Sequence, residues 1–191
     1  SRDRPKNPEA DTGTLNPDHW RRSMSGSNRT VRTAFAARHL WPLAQVTASD
    51  IDPISIDVSV ENAHVNHIPL GGRSGAVDLY VASGVDHPAL QARGPYDLII
   101  ANILAGPLIE LAPGIVSLLE EGGTVILAGL LDTQADAVAD AYRAQGMRLA
   151  ARRDNGDWPC LRLVKRPQYG WQRPVRTSGR TSQPPGDFGT W

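Results

Sequence analysis

The 191-residue chain has a single cysteine, Cys160. One thiol cannot close an internal disulfide or build a Cys-rich zinc site, which suits a reducing compartment and leaves Cys160 a packing role. Long apolar runs are missing too. None approaches the ~20 residues of a bilayer span, and the polar, proline-containing start of the chain has no stretch like the apolar core of a secretory signal. The expectation is a soluble cytoplasmic protein with no membrane partner. Neither sign of charge is in excess: Lys+Arg and Asp+Glu number 20 each, which argues against direct nucleic-acid binding. The imbalance is local, with seven basic and four acidic groups in residues 1–34 and a net acidic middle. His19, His39, His64 and His67 have no metal-ligand constellation around them, and no metal site is expected. No internal repeat is visible.

The hydrophobic content of 40% is enough for one ordinary core, and its distribution divides the chain in three. Residues 1–30 hold Pro, Gly, Asn, Ser and Arg with almost no aliphatic side chains, and read as a disordered or linker-like arm. Residues 167–191 repeat that composition with Trp171 and Trp191 added, and Pro184-Pro185 blocks regular structure there, so this is read as a tail.

Between them, residues 31–166 alternate short β-rich runs with helix-like segments, the pattern of an α/β domain built from parallel crossovers. Gln45 to Asp50 and Ala76 to Val81 read as strands, with a helix opened by Pro53 between them. Tyr96 to Ala101 is a continuous apolar run, as expected for a strand covered on both faces. A helix over Pro107 to Leu119 should kink or restart at Pro113, ahead of a strand at Thr124 to Leu127. An amphipathic helix, Thr133 to Gln145, leads to a hairpin of Met147 to Arg153 and Pro159 to Lys165 around Asp154-Asn155-Gly156-Asp157.

Two constellations carry chemistry. In Ser49-Asp50-Ile51-Asp52-Pro53 a β-run ends in a carboxylate at the carboxyl edge of the sheet, where doubly wound folds bind nucleotides and an acid can accept both hydroxyls of a ribose. Asp52 is placed to cap the next helix, although both carboxylates could serve as caps. In Ile99-Ile100-Ala101-Asn102 an apolar strand delivers an amide at its end, before a Gly/Pro-bounded loop. An amide there can orient an amine toward an electrophilic methyl group, or simply form a turn. His87 reads as a solvated loop residue, with a proton acceptor as the alternative.

These stretches, with Glu61-Asn62-Ala63, Asn66 and Leu127-Ala128-Gly129-Leu130-Leu131-Asp132-Thr133-Gln134-Ala135, resemble the ribosomal protein L11 methyltransferase family over about residues 35–166. The D-I-D-P turn, A-N-I-L-A-G-P-L-I-E-L-A-P and A-G-L-L-D-T-Q-A are the specific parts. The resemblance implies a Rossmann-like class I methyltransferase sheet, S-adenosylmethionine as cofactor, and methyl transfer to the α-amino and lysine nitrogens of ribosomal protein L11 as partner. It implies Asp50 on the cofactor ribose, Gly84 and Val85 near the adenine, and Asn102 on the methionine end or the incoming amine.

One part of the family pattern is missing. A first strand ending in a glycine-rich turn should lie roughly 20 residues before Asp50. The corresponding Ser25-Gly26-Ser27-Asn28-Arg29-Thr30-Val31-Arg32 has no G-x-G, places Arg29 and Arg32 where small residues belong, and follows no apolar β-run. Asp11-Thr12-Gly13-Thr14 is too far upstream to replace it. The sheet is therefore expected to lack its first strand. No counterpart of the family's N-terminal substrate-recognition domain is read in residues 1–30, which fits a truncated, frame-disrupted or diverged product. Beside the enzyme reading stand an inactive remnant that binds a partner and a methyltransferase for another amine.

Overall fold

A computed structural model describes residues 22–26 and 30–166, with only the backbone described through residue 32. The tail at 167–191 and most of the arm at 1–30 lie outside the described residues. The strands are β1 (Arg22–Gly26), β2 (Gln45–Asp50), β3 (Val77–Val81), β4 (Tyr96–Asn102), β5 (Leu119–Ala128), β6 (Met147–Arg153) and β7 (Cys160–Lys165). The helices are α1 (Thr30–Leu40), α2 (Pro53–Val65), α3 (Pro88–Arg93), α4 (Ala105–Glu110), α5 (Ala112–Ser117) and α6 (Ala135–Ala144), with a 3-10 turn at Asp132–Gln134.

One seven-stranded sheet takes the order β3-β2-β1-β4-β5-β7-β6. The first five strands in sequence run parallel, and β7 lies antiparallel between β5 and β6, so the expected C-terminal hairpin closes that edge. The apolar run of β4 is explained by its two covered faces. Leu98 and Ile100 join a cluster with Ala34, Ala37, Val46 and Ala48 on the α1 side, whereas Ile99 and Ala101 join Leu90, Leu108, Ile115 and Val138 on the other.

The expectation of a missing first strand is corrected. Residues 22–26, inside the stretch read as an arm, pair in parallel with both β2 and β4 at the centre of the sheet. The reason is that a ladder is made by main-chain N–H and C=O groups, which Arg-Ser-Met-Ser-Gly supplies as well as an apolar sequence does. Two facing strand edges would otherwise be left unpaired in the middle of the molecule.

The helix expected over 107–119 is two helices meeting at Leu111, because Pro113 falls in the first turn of α5, where its missing N–H costs nothing. The following strand starts earlier than expected, at Leu119, with a register shift opposite Tyr96 and Leu98. No helix among the described residues is long and apolar enough to cross a membrane.

Candidate cofactor and acceptor site

The strand order reverses at β1, and ligands of open α/β sheets bind in the crevice beyond the carboxyl ends at such a point. Register makes this specific. Gly26, the last residue of β1, stands opposite Ser49 of β2 and Ala101 of β4, so the residues that follow, Asp50 and Asn102, flank the point where the chain leaves β1 for α1. Both line one cavity of about 850 Å³ at this edge.

Asp50 is held from two sides. Its carbonyl accepts from the Ala82 N–H at 2.9 Å, and its Oδ1 accepts from the Asp52 N–H at 3.0 Å. The side chain is buried, with 4% exposure, yet no described residue donates to Oδ2. A buried carboxylate oxygen left without a donor is costly, and is explained when a ligand supplies one. Asp52 spends its carboxylate on α2: Oδ1 accepts from the Ile54 N–H at 3.0 Å and Oδ2 from the Ser55 hydroxyl at 2.8 Å. Both acids line the cavity, but the Asp52 carboxylate is occupied in capping α2, whereas the buried Oδ2 of Asp50 has no donor among the described residues.

The wall beyond β3 is Ala82-Ser83-Gly84-Val85-Asp86. Gly84 has φ +76°, and a Cβ there would lie 3.1 Å from Leu111 Cδ2, so the loop packs closely on the α4–α5 junction. Val85 is buried, and its carbonyl accepts from Gln91 Nε2 at 3.0 Å. His87 is half-buried and caps α3, its Nδ1 accepting from the Ala89 N–H at 3.2 Å. That bond puts the proton of a neutral ring on Nε2. Its ring stacks obliquely on Tyr80 at 5.4 Å, and the Tyr80 hydroxyl donates to Asp78 Oδ2 at 2.6 Å. Burial first, then the bond to Asp78, pushes the Tyr80 phenol above its ordinary value.

On the other side, Asn102 ends β4 in close contact with Gly129, the residue after β5. A Cβ on Gly129 would stand 2.7 Å from Asn102 Oδ1 and 2.8 Å from the Ile103 carbonyl oxygen. Gly129 therefore sets the space in which the amide sits. Trp158, half-exposed in the turn between β6 and β7, lines the same cavity with Leu104 and Glu110. Reading the sequence singled out none of Gly129, Trp158 and Glu110 for a role at the site. A glycine directly after a strand and a tryptophan beside a D-N-G-D turn were the available signals.

The fit to an adenosyl cofactor can be judged from these residues. An orphaned buried carboxylate oxygen suits a hydroxyl donor, Ala82, Val85, Ile99 and Leu111 give the cavity apolar lining, and the carboxylates around it suit a cationic centre. Among the described residues no group of three or more His, Cys, Asp and Glu could hold a metal ion.

A parallel sheet in this order, with an antiparallel seventh strand inserted beside the fifth and an acid at the end of the second, defines the class I methyltransferase fold. A model of the ribosomal protein L11 methyltransferase family matches residues 34–166, and the chain belongs to that family. It is 38% identical over 151 residues to a ribosomal protein L11 methyltransferase of Brucella abortus (strain S19), covering 79% of this chain and 51% of that protein. The chain thus spans about half the length of the curated relatives it matches. A ribosomal protein L11 methylase from Lactobacillus delbrueckii subsp. bulgaricus superposes with a TM-score of 0.63 at 29% identity, over 75% of this chain and 70% of that one. A methyltransferase from Pyrococcus furiosus, 16% identical over 75% of this chain and 74% of that one, shares the fold with a TM-score of 0.59.

Proposed function

We propose that this chain carries the catalytic domain of an S-adenosylmethionine-dependent N-methyltransferase acting on amino groups of ribosomal protein L11, in the cytoplasm. The observation that carries the proposal is the Oδ2 of Asp50, buried without a donor among the described residues, on a residue that lines the same cavity as Asn102.

In this reading Asp50 accepts the ribose hydroxyls in charge-assisted bonds, and Gly84 and Val85 form the adenine slot. The cofactor supplies a methyl group already activated by its sulfonium, so no protein nucleophile is needed and positioning does most of the work. The acceptor nitrogen must arrive with a free lone pair. Asn102 suits that need better than a carboxylate would, because a neutral amide oxygen can take an amine N–H without holding the nitrogen as ammonium. Asp86 and Glu110 at the cavity wall draw in cationic ligands without occupying the position beside Gly129.

A second reading is favoured by one observation: the sequence that follows β1, Ser27-Asn28-Arg29-Thr30, completes no G-x-G with Gly26. The chain would then be a methyltransferase-like binding module without turnover, or would act on another amine. Calorimetric titration with S-adenosylhomocysteine separates the first of these. Saturable binding that is lost in Asp50→Ala supports an enzyme site, and no heat at millimolar ligand with a folded sample excludes it. Radiolabelled methyl transfer to purified L11 against other amines decides the substrate.

A further inference from the structure

The turn at 154–159 that brings Trp158 to the cavity is tied to the residues just beyond β5. The Asp132 N–H donates to the Asp157 carbonyl at 2.9 Å, which sets the turn beside the end of β5 and hence on the Asn102 side of the cavity. Arg152 of β6 adds a second tie with three nitrogens on three carboxylates. Its Nε bonds Asp154 Oδ1 at 2.7 Å, its Nη2 bonds Asp132 Oδ1, and its Nη1 faces Asp136 Oδ1 at 3.8 Å. Asp154 belongs to the turn itself, Asp132 to the 3-10 turn after β5, and Asp136 to the first turn of α6.

A single exposed ion pair contributes little. This arrangement differs because one planar guanidinium bonds two separate segments, at Asp154 and Asp132, within ionic reach of a third at Asp136, and its rigid fork sets direction as well as distance. Without the cation, three carboxylates gathered on one spot repel one another, and Asp157 in the same turn adds to that charge. The main-chain bond from Asp132 would then face an unbalanced load. The residues on the ribose and adenine side, Asp50, Gly84 and Val85, stand at β2 and β3, across β1 from the hairpin.

We propose that Arg152 is a positioning residue for the acceptor side of the site: it holds the turn bearing Trp158 in place and so governs binding of the amine-bearing partner, not of the cofactor. The proposal rests on the reading above, that the cavity takes a methyl donor and an amine.

Hydrogen exchange on the full chain tests it directly, comparing wild type with Arg152→Gln, Arg152→Lys and, as a surface-pair control, Arg143→Gln. Arg152→Gln should speed exchange in peptides covering 129–134 and 154–160 while leaving β2 to β4 unchanged. Arg152→Lys should recover part of the protection, and Arg143→Gln should change neither peptide. In the same samples the Kd for S-adenosylhomocysteine should stay within about twofold, while KM for L11 in methyl transfer rises roughly three- to tenfold, 0.7–1.4 kcal/mol. Unchanged exchange in both peptides overturns the proposal, as does a cofactor Kd that weakens in step with KM. If the wild-type chain binds no S-adenosylhomocysteine, the cofactor reading fails, and the exchange comparison alone decides whether Arg152 holds the turn.

Discussion

Asn102 Oδ1 lies so near Gly129 that a single added Cβ would approach it to 2.7 Å. The same glycine has φ +84°, a backbone region that side chains other than glycine's rarely adopt. Gly129→Ala therefore strains its own backbone by about 1–3 kcal/mol and displaces the amide. The expected outcome is a Tm lowered by several degrees together with a fall in methyl transfer of at least roughly tenfold, about 1.4 kcal/mol. Thermal melts and a radiolabel assay measure both. Full turnover in the alanine variant would separate Gly129 from the role of Asn102.

The two neighbouring acids should respond in opposite ways. Asp50→Asn removes the charge from an oxygen that has no donor within the described residues, so the protein keeps its stability or gains slightly. Its binding of S-adenosylhomocysteine should weaken by roughly 10- to 150-fold, the loss of about 1.5–3 kcal/mol of charge-assisted bonding. Asp52→Ala removes the cap of α2 and should cost about 0.5–2 kcal/mol of stability. The ligand Kd should then move by less than about threefold, under 1 kcal/mol. Calorimetry paired with chemical denaturation of both variants distinguishes the pattern from its reverse.

Tyr142 is fully buried in the core, and its hydroxyl has no hydrogen-bond partner among the described residues. Burial pushes the phenol far above its ordinary value, so above pH ~10 the unfolded chain sheds a proton that the folded chain keeps. The folded state then holds more protons, and stability falls as pH rises. Cys160, raised mainly by burial, acts with the same sign from about pH 8.5 upward. Tyr142→Phe should raise stability at pH 7 by about 1 kcal/mol and flatten the decline above pH ~10. Urea titrations at pH 7, 9 and 10.5 check this; an unchanged slope above pH 10 would count against the assignment.

The sequence after β1 can be brought closer to the family pattern by one change. Asn28→Gly gives a G-S-G run beginning at Gly26, the position where small residues let a backbone approach the methionine part of the cofactor. Tighter S-adenosylhomocysteine binding, by about tenfold or 1.4 kcal/mol, is expected in calorimetry. A Kd equal to wild type would show that this segment does not limit the site.

Much of the sheet was legible because its strands end in recognisable ways. β2 and β4 are apolar or β-rich runs stopped by Asp50 and Asn102, and parallel register carries both residues to one edge. Asp52 as the cap of α2 could also be read, from its place just before Pro53, whereas the sequence left open whether Asp50 was a second cap. β1 was not legible, because its pairing uses main-chain groups and its residues carry no alternation or apolar run. Trp158 was missed for a different reason. Its place in the cavity depends on a hairpin docking against Asp132, a contact between segments 25 residues apart that leaves no local pattern. The break at Leu111 lay within reach of Pro113, although the proline's own position marked the second helix's first turn and not the break itself.

The central strand has a mechanical meaning as well. β2 and β4 never touch as strands, so the ladder joining the β3-β2 pair to the β4-β5-β7-β6 block runs through five residues. All five pair with β2 and the last four, Ser23 to Gly26, also with β4, and they end where the two candidate site residues begin. Side chains bridge the same seam, because Leu98 and Ile100 of β4 share a core cluster with Val46 and Ala48 of β2. Whatever loosens β1 therefore disturbs the spacing of Asp50 and Asn102 and the α1-side core together.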